Sequence, residues 1–306
     1  MRILLTGVTG QVGRALQQPL QALGTVLIAD RSMLDLSHPE RIAATLDDQA
    51  PDLIVNPAAY TAVDQAEEEI DLAYRVNAEA PQAMARWAAL QGVPIVHFST
   101  DYVFDGSGNR PFRENDTTGP LSVYGASKLA GEDAIRAAGG AFLIVRTSWV
   151  FSASGHNFLT TIARIARERQ QLRVVADQVG APTSARAIAQ AVSLILAYGS
   201  AVGKASPAAD LMRQFGEANG VVHVTTKGEI SWHGFACAIV EGLRKRGTSL
   251  AVNEIVAIDT KDFPTKASRP PNSRLSLNRL ESLFGVQMPN WRDALALELD
   301  AYCEKI

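Results

Sequence analysis

In the first half of the chain, short apolar runs alternate with longer segments that are rich in alanine and leucine and carry one polar face. The apolar runs are too short for helices and are bounded by glycine, proline or aspartate, so they predict buried strands. Strands are expected at 2–6, 25–29, 53–55, 95–99 and 142–145. Helices are expected at 11–22, 39–48, about 67–91 and 123–138. This alternation predicts an α/β fold with a doubly wound parallel sheet.

After about residue 150 the pattern changes. Helices are expected at 158–169, 185–198 and 232–245, and short strands at 173–175 and 221–225. Residues 199–220 are rich in Gly, Ala, Ser and Pro and predict a loop region, and a proline-rich stretch spans 263–275. We therefore predict a main domain at 1–150 and a smaller lobe made mainly of 151–306, with 170–200 packing back on the main sheet. A ligand is expected in the cleft between them.

Composition and charge exclude several classes of protein. Of the 306 residues 47% are hydrophobic, which rules out a disordered chain. Lysine and arginine number 29 against 32 acidic residues, with no basic block, so no nucleic-acid partner is expected. Cys237 and Cys303 lie far apart without metal-like spacing, which is typical of a reducing cytoplasm. We expect neither a signal peptide nor a membrane span, hence a soluble cytoplasmic protein with no membrane partner.

A glycine-rich turn follows the first predicted strand and opens a helix. Gly7, Gly10 and Gly13 have the spacing GxxGxxG, which allows a tight turn, close approach to a pyrophosphate and tight packing of the helix. The helix N-terminus adds free N–H groups for phosphates. Asp30, at the end of the second strand, is placed to bind a ribose hydroxyl, and Arg31 could neutralise a 2′-phosphate. The pattern predicts a Rossmann-type sheet that binds NADPH or NADH.

Tyr124 and Lys128 form a YxxxK pair on a predicted helix. At this spacing they share one face of the helix, so the lysine cation should lower the pKa of the phenol towards neutral pH. Thr100 ends the fourth predicted strand and could donate a hydrogen bond to a substrate carbonyl. Taken alone, the pair could be an exposed helix pair; after the glycine turn it predicts acid–base catalysis. His97, inside the same apolar strand as Thr100, is predicted to be a packed core residue.

Five longer segments are distinctive: 99–106 (STDYVFDG), 123–132 (VYGASKLAGE), 146–150 (RTSWV), 177–183 (DQVGAPT) and 268–275 (SRPPNSRL). They resemble the short-chain dehydrogenase/reductase superfamily and, within it, the dTDP-4-dehydrorhamnose reductase family. The resemblance implies a Rossmann domain with a smaller sugar-nucleotide-binding lobe. It also implies NADPH- or NADH-dependent reduction of dTDP-4-dehydro-β-L-rhamnose to dTDP-β-L-rhamnose, the last step towards this sugar donor for surface polysaccharide such as the O-antigen of lipopolysaccharide.

The resemblance also implies roles for single residues on both sides of the site. Gly10, Gln11 and Val12 would line the pyrophosphate of the cofactor. Asp30 would lie at the adenosine ribose, and Asp35 and Leu36 near the adenine. Ala59, Tyr60 and Thr61 would lie on the nicotinamide side. Tyr124 would protonate O4 as hydride reaches C4, and Lys128 would hold the nicotinamide ribose.

On the substrate side, the resemblance implies that Thr100, Asp101 and Trp149 contact the sugar. A large aromatic residue such as Trp149 could equally serve core packing. Arg269 and Arg274 have the charge and planar geometry to bind a diphosphate, and a solvated proline-rich loop explains them equally well. The substrate-binding residues are therefore less firmly predicted than the cofactor-binding ones.

Three alternative functions stay open at this point. A 4,6-dehydratase of this superfamily typically carries glutamate where this chain has Tyr102, so the acid–base partner for elimination is missing. A 4-epimerase fits the motifs less well. A non-catalytic NADP-binding regulatory subunit would not need Thr100, Tyr124 and Lys128 together.

A metal site is not expected. Some relatives hold Mg²⁺ at a homodimer contact through glutamates, and this chain has Ala15 and Arg186 at the matching places. Mg²⁺ needs oxygen ligands, which neither residue supplies. We therefore expect no metal and no metal-bridged homodimer.

Overall fold

The fold, given by a computed structural model that describes residues 1–201 and 207–305, alternates strands and helices. Its strands are β1 (Arg2–Leu5), β2 (Thr25–Ile28), β3 (Leu53–Asn56), β4 (Ile95–Thr100), β5 (Phe142–Thr147), β6 (Val150–Phe151), β7 (Gln171–Val175), β8 (Val179–Gly180), β9 (Thr183–Ser184), β10 (Val221–His223), β11 (Ile230–Ser231), β12 (Glu254–Ile258) and β13 (Asn272–Ser273). Its α-helices are α1 (Gln11–Gln21), α2 (Ile42–Gln49), α3 (Val63–Ala66), α4 (Ile70–Tyr74), α5 (Ala80–Gln91), α6 (Val123–Ala138), α7 (Phe158–Glu168), α8 (Ala185–Ala201), α9 (Pro207–Glu217), α10 (Trp232–Lys245), α11 (Asn278–Phe284) and α12 (Trp291–Cys303). A π-helical turn spans Arg75–Glu79, and 3-10 turns span Pro39–Arg41, Asp101–Val103 and Thr260–Asp262.

The main sheet is parallel throughout, with the strand order β2-β1-β3-β4-β5-β10. β1 pairs with β2 on one side and β3 on the other, so the strand order reverses between β1 and β3. In such sheets ligands bind at the carboxyl ends of the strands on either side of this reversal. The predicted doubly wound α/β fold is confirmed, and β10 adds an edge strand from the second half of the chain.

Alternate residues of β1 show how the sheet buries both of its faces. Ile3 and Leu5 pack on one face with α1, α8, α9 and α11, and Leu4 packs on the other with α2, α5 and α6. All three side chains are fully buried. A strand with helices on both faces has no solvent-facing position, which explains the continuous apolar runs in the sequence.

The prediction of a loop at 199–220 is wrong where the structure describes this segment. α8 continues to Ala201 and α9 spans Pro207–Glu217, while residues 202–206 of the predicted loop lie outside the described residues. Leu211 and Phe215, one helical turn apart, are buried against the sheet. The segment is rich in Gly, Ala and Pro and has few large apolar residues, so the helical pattern in the sequence is weak.

A second hydrophobic core lies apart from the main sheet. There α7, α10 and α12 pack together with the parallel pair β7–β12, around the aromatic rings of Phe151, Phe235 and Trp291. β13 pairs in parallel with β8, which brings the proline-rich segment beside residues 177–183. Among the described residues, the structure has no helix with the length and apolar character that a membrane crossing needs.

Candidate active site

A groove of about 1040 Å³ opens at the carboxyl ends of β1, β2 and β3, where the strand order reverses. All the residues predicted to bind the cofactor line it: Gly7, Gly10, Gln11, Val12, Gly13, Asp30, Arg31, Asp35, Leu36, Ala59, Tyr60, Thr61, Tyr124 and Lys128. The predicted substrate residues Thr100, Asp101, Trp149, Arg269 and Arg274 lie outside its lining. The fold thus brings one group of candidates together and leaves the other beside it.

The glycine turn is too tightly built for side chains. Gly7 has φ +57°, and a Cβ there would lie 2.8 Å from the backbone nitrogen of Ala58, in the loop after β3. A Cβ on Gly13 would lie 2.1 Å from the Gly7 carbonyl oxygen. That oxygen also accepts a hydrogen bond from the Gly10 N–H (2.9 Å), which closes the turn at the start of α1. Bare backbone and a helix N-terminus therefore face the groove, as a pyrophosphate requires.

Asp30 is a turn residue that lines the groove just after β2. Its Oδ1 accepts hydrogen bonds from the Ser32 hydroxyl (2.6 Å) and from two backbone N–H groups, and these bonds hold the pKa of Asp30 below its ordinary value. Its Oδ2 takes no part in these bonds. Arg31 is 81% exposed at its side chain and pairs with Asp35 (3.1 Å). The Ser37 hydroxyl is the main cause that lowers the pKa of Asp35 to about 2.

Tyr124 lies in the first turn of α6, which Ser122 caps. Its ring packs edge-on against Tyr102, with centroids 5.5 Å apart. Burial raises the pKa of Tyr124 above its ordinary value, and a hydrogen bond with Thr100 opposes this only in part. The expectation that Lys128 lowers this pKa to near neutrality is wrong for the protein alone. The phenol stays protonated, which is the state that a proton donor needs.

The ammonium group of Lys128 is bound by β4. It donates a hydrogen bond to the Phe98 carbonyl oxygen (2.7 Å) and lies 3.1 Å from Nε2 of His97. Burial lowers the pKa of Lys128 to about 8, against the opposing effect of the Glu132 carboxylate. His97 is buried, as predicted, and is also a direct neighbour of the lysine. No sequence motif links His97 to Lys128, so this contact was missed.

Asp101 is a buried carboxyl group next to Thr100. Its Oδ1 accepts a hydrogen bond from the Thr100 hydroxyl (3.0 Å), while its Oδ2 has no hydrogen-bond partner among the described residues. Burial raises the pKa of Asp101 to about 6, although hydrogen bonds from Ser273 and Thr100 oppose the shift. A carboxyl group with a free, buried oxygen is suited to bind a polar ligand group.

The two arginines predicted to bind a diphosphate are paired with carboxylates. Arg269 donates to Asp64 (2.6 Å) and to the Tyr102 hydroxyl (3.2 Å). Arg274 forms an ion pair with Glu229 (3.1 Å). A diphosphate would have to share or replace these carboxylates. Through Tyr102, Arg269 lies one side chain away from Tyr124.

Trp149 is packed face to face with Trp232, with ring centroids 3.5 Å apart and an angle of 10° between the rings. Its backbone has φ +47°, a conformation that is uncommon for residues other than glycine. A Cβ at Gly180 would fall 2.6 Å from the Trp149 ring, so this neighbour also crowds it. Trp232, the first residue of α10, stacks on Trp149 but lies in none of the sequence motifs used to predict the site.

The residues at the place of the relatives' metal do not fit Mg²⁺. Ala15 has no ligand atom, and Arg186 forms an ion pair with Glu298 (3.2 Å). The other oxygen of Glu298 accepts a hydrogen bond from the Ala153 N–H (2.7 Å). Nowhere in residues 1–201 and 207–305 do three or more His, Cys, Asp or Glu side chains form a group that could hold a metal ion.

A parallel doubly wound sheet, a glycine turn at its reversal point and a YxxxK pair in the same groove define a nucleotide-binding protein of the short-chain dehydrogenase/reductase class. A family model described as the RmlD substrate binding domain matches residues 1–303. A dTDP-4-dehydrorhamnose reductase of Burkholderia thailandensis is 46% identical over 302 residues, covering 97% of both chains. The chain belongs to the dTDP-4-dehydrorhamnose reductase family.

Other relatives agree in sequence and in structure. The dTDP-4-dehydrorhamnose reductase of Escherichia coli K12 is 41% identical over 95% of both chains. Among solved structures, the dTDP-4-dehydrorhamnose reductase of Bacillus anthracis in complex with NADP is 32% identical, with a TM-score of 0.84 over 98% of this chain and 99% of the other. A UDP-glucose 4-epimerase of Thermus thermophilus in complex with NAD, at 18% identity and TM-score 0.77 over all of both chains, shares the fold.

Proposed function

We propose that this chain reduces dTDP-4-dehydro-β-L-rhamnose to dTDP-β-L-rhamnose with NADPH or NADH, the last step in making this donor for surface polysaccharide. The observation that carries the proposal is the placement of Tyr124 and Lys128 together in the groove at the glycine turn. The family and the NADP complex of the Bacillus anthracis relative support it.

In this proposal, residues 1–150 form the cofactor domain and 151–306 contribute mainly the sugar-nucleotide lobe, with α8 returning to the main sheet beside α1. The tight glycine turn fits the pyrophosphate because a side chain would fill the space that the phosphates need. Asp30 would bind the adenosine ribose, Asp35 and Leu36 would lie at the adenine, and residues 59–61 would lie at the nicotinamide. When bound, the dinucleotide supplies the hydride for C4.

The proton for the reaction would come from this chain. Tyr124, kept protonated by burial, donates its phenolic proton to O4 of the keto sugar, and the Thr100 hydroxyl, which would turn its single proton from Asp101 Oδ1 to the sugar, donates a hydrogen bond to the same oxygen. Lys128 holds the nicotinamide ribose. Asp101 and Trp149 would contact the hexose, and Arg269 and Arg274 would exchange their carboxylate partners for the diphosphate.

A specific observation counts against dehydration. A dehydratase of this superfamily typically carries a glutamate at the place of Tyr102, whereas here burial raises the pKa of the Tyr102 phenol and its oxygen accepts a hydrogen bond from Arg269. The non-catalytic alternative would leave no reason for Thr100, Tyr124 and Lys128 to converge beside the groove.

The test is NADPH and NADH oxidation with dTDP-4-dehydrorhamnose beside UDP- and GDP-linked 4-keto sugars. Turnover with the dTDP sugar at least ten times faster than with the others is expected. Cofactor binding without oxidation in any of the three would instead support the regulatory alternative.

A further inference from the structure

The ammonium group of Lys128 has three hydrogen-bond donors, of which β4 takes two. One goes to the Phe98 carbonyl oxygen at 2.7 Å, and a second lies 3.1 Å from Nε2 of His97. The side chain is only 1% exposed, so no bulk water competes for these positions. The third donor is left for the groove that Lys128 lines. The direction of that third donor therefore depends on how the first two are held.

His97 is fully buried, and both burial and the nearby charge of Lys128 lower its pKa well below the ordinary value. The imidazole is therefore neutral. A neutral imidazole has one nitrogen that donates and one that accepts. An ammonium group can only donate, so a charged Lys128 requires Nε2 of His97 to accept.

On its other side, His97 continues into a buried polar chain across the sheet. Its Nδ1 lies 3.1 Å from the amide nitrogen Nδ2 of Asn56 at the end of β3, and the amide oxygen Oδ1 of Asn56 accepts a hydrogen bond from the Thr6 hydroxyl (2.6 Å). All three side chains are at most 1% exposed. Thr6 directly precedes Gly7, so this series of hydrogen bonds connects Lys128 to the glycine turn.

This series of hydrogen-bonded side chains can give Lys128 a suitable partner in either protonation state: an acceptor for the ammonium group, or a donor for the neutral amine. With Lys128 charged, Nδ1 of His97 carries the proton, and the Asn56 amide is turned over from its orientation in the structure so that its oxygen accepts from Nδ1 and its nitrogen donates to Thr6. With Lys128 neutral, the order reverses: Thr6 donates to the amide oxygen, the amide nitrogen donates to Nδ1, and Nε2–H donates to the amine. A histidine beside a side-chain amide can make this exchange because each can present a donor or an acceptor.

We propose that His97 is a positioning residue for the reaction: its neutral imidazole, backed by Asn56 and Thr6, holds the Lys128 ammonium so that the remaining donor faces the cofactor ribose. The kinetic test of this inference rests on the proposed function, because it measures turnover of the keto sugar. The binding test measures only the affinity for NADH. It assigns a role to a histidine that its apolar strand had marked only as core.

Two substitutions of similar chemistry separate this role from core packing. The amide of His97→Gln can reach the place of Nε2 and accept from Lys128, whereas the amide of His97→Asn, one methylene shorter, can reach only towards Asn56. His223→Gln is the control, because His223 is also fully buried in the main sheet and is not in contact with Lys128. Thermal melting shows that each variant is folded.

In His97→Asn we expect kcat to fall about tenfold to a hundredfold, the effect of losing one hydrogen bond to a charged group. The KM for the keto sugar should stay within about twofold, and the Kd for NADH, measured by tryptophan fluorescence, should rise. His97→Gln should retain most of kcat and of the NADH affinity, and His223→Gln should match the original protein.

Equal losses in the Gln and Asn variants, or no loss in the folded Asn variant, would overturn the proposal. A change in sugar KM alone would do the same. If the original protein turns over no keto sugar, the proposed function fails. The NADH affinities of the two variants then still decide the role of His97, since Lys128 would bind the ribose in either case.

Discussion

The two halves of the site are built on different principles. In the proposed cofactor half, meaning the groove around the glycine turn, the turn itself is one contiguous motif that presents backbone N–H groups and is held by contacts between β1, α1 and the loop after β3. The proposed substrate half, meaning Thr100, Asp101, Trp149, Arg269 and Arg274, comes from distant segments and presents side chains. Its arginines are paired with carboxylates, and its tryptophan is stacked on a second tryptophan.

The difference concerns what a ligand must do on arrival. A pyrophosphate can enter the cofactor half without breaking any bond that the glycine turn makes with itself. A diphosphate sugar has to compete with Asp64 and Glu229 for the arginines. A substitution in a site built from backbone should therefore lower the stability of the fold, whereas a substitution in a site built from side chains should lower the affinity for the ligand.

The largest effect is expected at the junction of the two halves. Tyr124→Phe removes the proton donor and keeps the ring, so kcat should fall about 10²–10⁴-fold, the usual contribution of a general acid. Binding of cofactor and sugar should persist. Steady-state kinetics with a fluorescence titration of NADH check both statements. Tyr74→Phe, on α4 and outside the groove lining, is the control; an unchanged kcat in Tyr124→Phe would remove Tyr124 from the mechanism.

In the substrate half, Arg269→Gln should act on affinity. Losing one charge-assisted bond to the diphosphate should raise the KM for the sugar nucleotide about tenfold to a hundredfold. The cofactor KM and the melting temperature should change little. Arg164→Gln removes an exposed ion pair with Glu168 and serves as the control, since such pairs contribute little. A raised cofactor KM with an unchanged sugar KM would contradict the placement of Arg269 in the substrate half.

In the cofactor half, Gly13→Ala should act on the fold. The added methyl would meet the Gly7 carbonyl oxygen, which is 2.1 Å from the Cβ position, so the turn must move. We expect a loss of about 1–3 kcal/mol in the free energy of unfolding and about a tenfold rise in cofactor KM. Gly216→Ala, in α9 with open space around its Cβ, should be neutral or slightly stabilising. Urea unfolding and kinetics measure both; equal behaviour of the two variants would contradict the argument.

How far the sequence predicts each half follows from the same contrast. The parallel strands and the glycine turn were predictable, because two-sided burial leaves continuous apolar runs and the turn is a contiguous motif. The contact of His97 with Lys128 joins residues 31 positions apart, and no local pattern signals it. The pKa of Tyr124 was predicted in the wrong direction, because i,i+4 spacing states which helix face a lysine shares but not how deeply the phenol is buried.

The choice of cofactor should be weak. The hydrogen bonds that lower the pKa of Asp30 keep it charged at neutral pH, so it opposes a 2′-phosphate, and the exposed, paired Arg31 offsets this only in part. We expect activity with both cofactors and a ratio of kcat/KM below about a hundredfold, or ~2.8 kcal/mol. Arg31→Ala should shift the ratio towards NADH. A preference far above that limit would show that another residue selects the cofactor.

The smallest expected effect is that of removing metal ions. The proposed proton and hydride transfers need only Tyr124, Thr100 and the bound dinucleotide. Arg186 carries a fixed positive charge 3.2 Å from Glu298, so this carboxylate is already paired and a divalent cation would be repelled. Activity should therefore survive dialysis against EDTA, and light scattering should give the same mass before and after. Lost activity that Mg²⁺ restores, or a dimer that dissociates on chelation, would show that the ion pair between Arg186 and Glu298 does not prevent a metal ion from binding. Arg186→Glu with Mg²⁺ present sharpens the test, because it replaces the cation with a ligand that Mg²⁺ prefers. Any metal-dependent association should appear in that variant and not in the original chain.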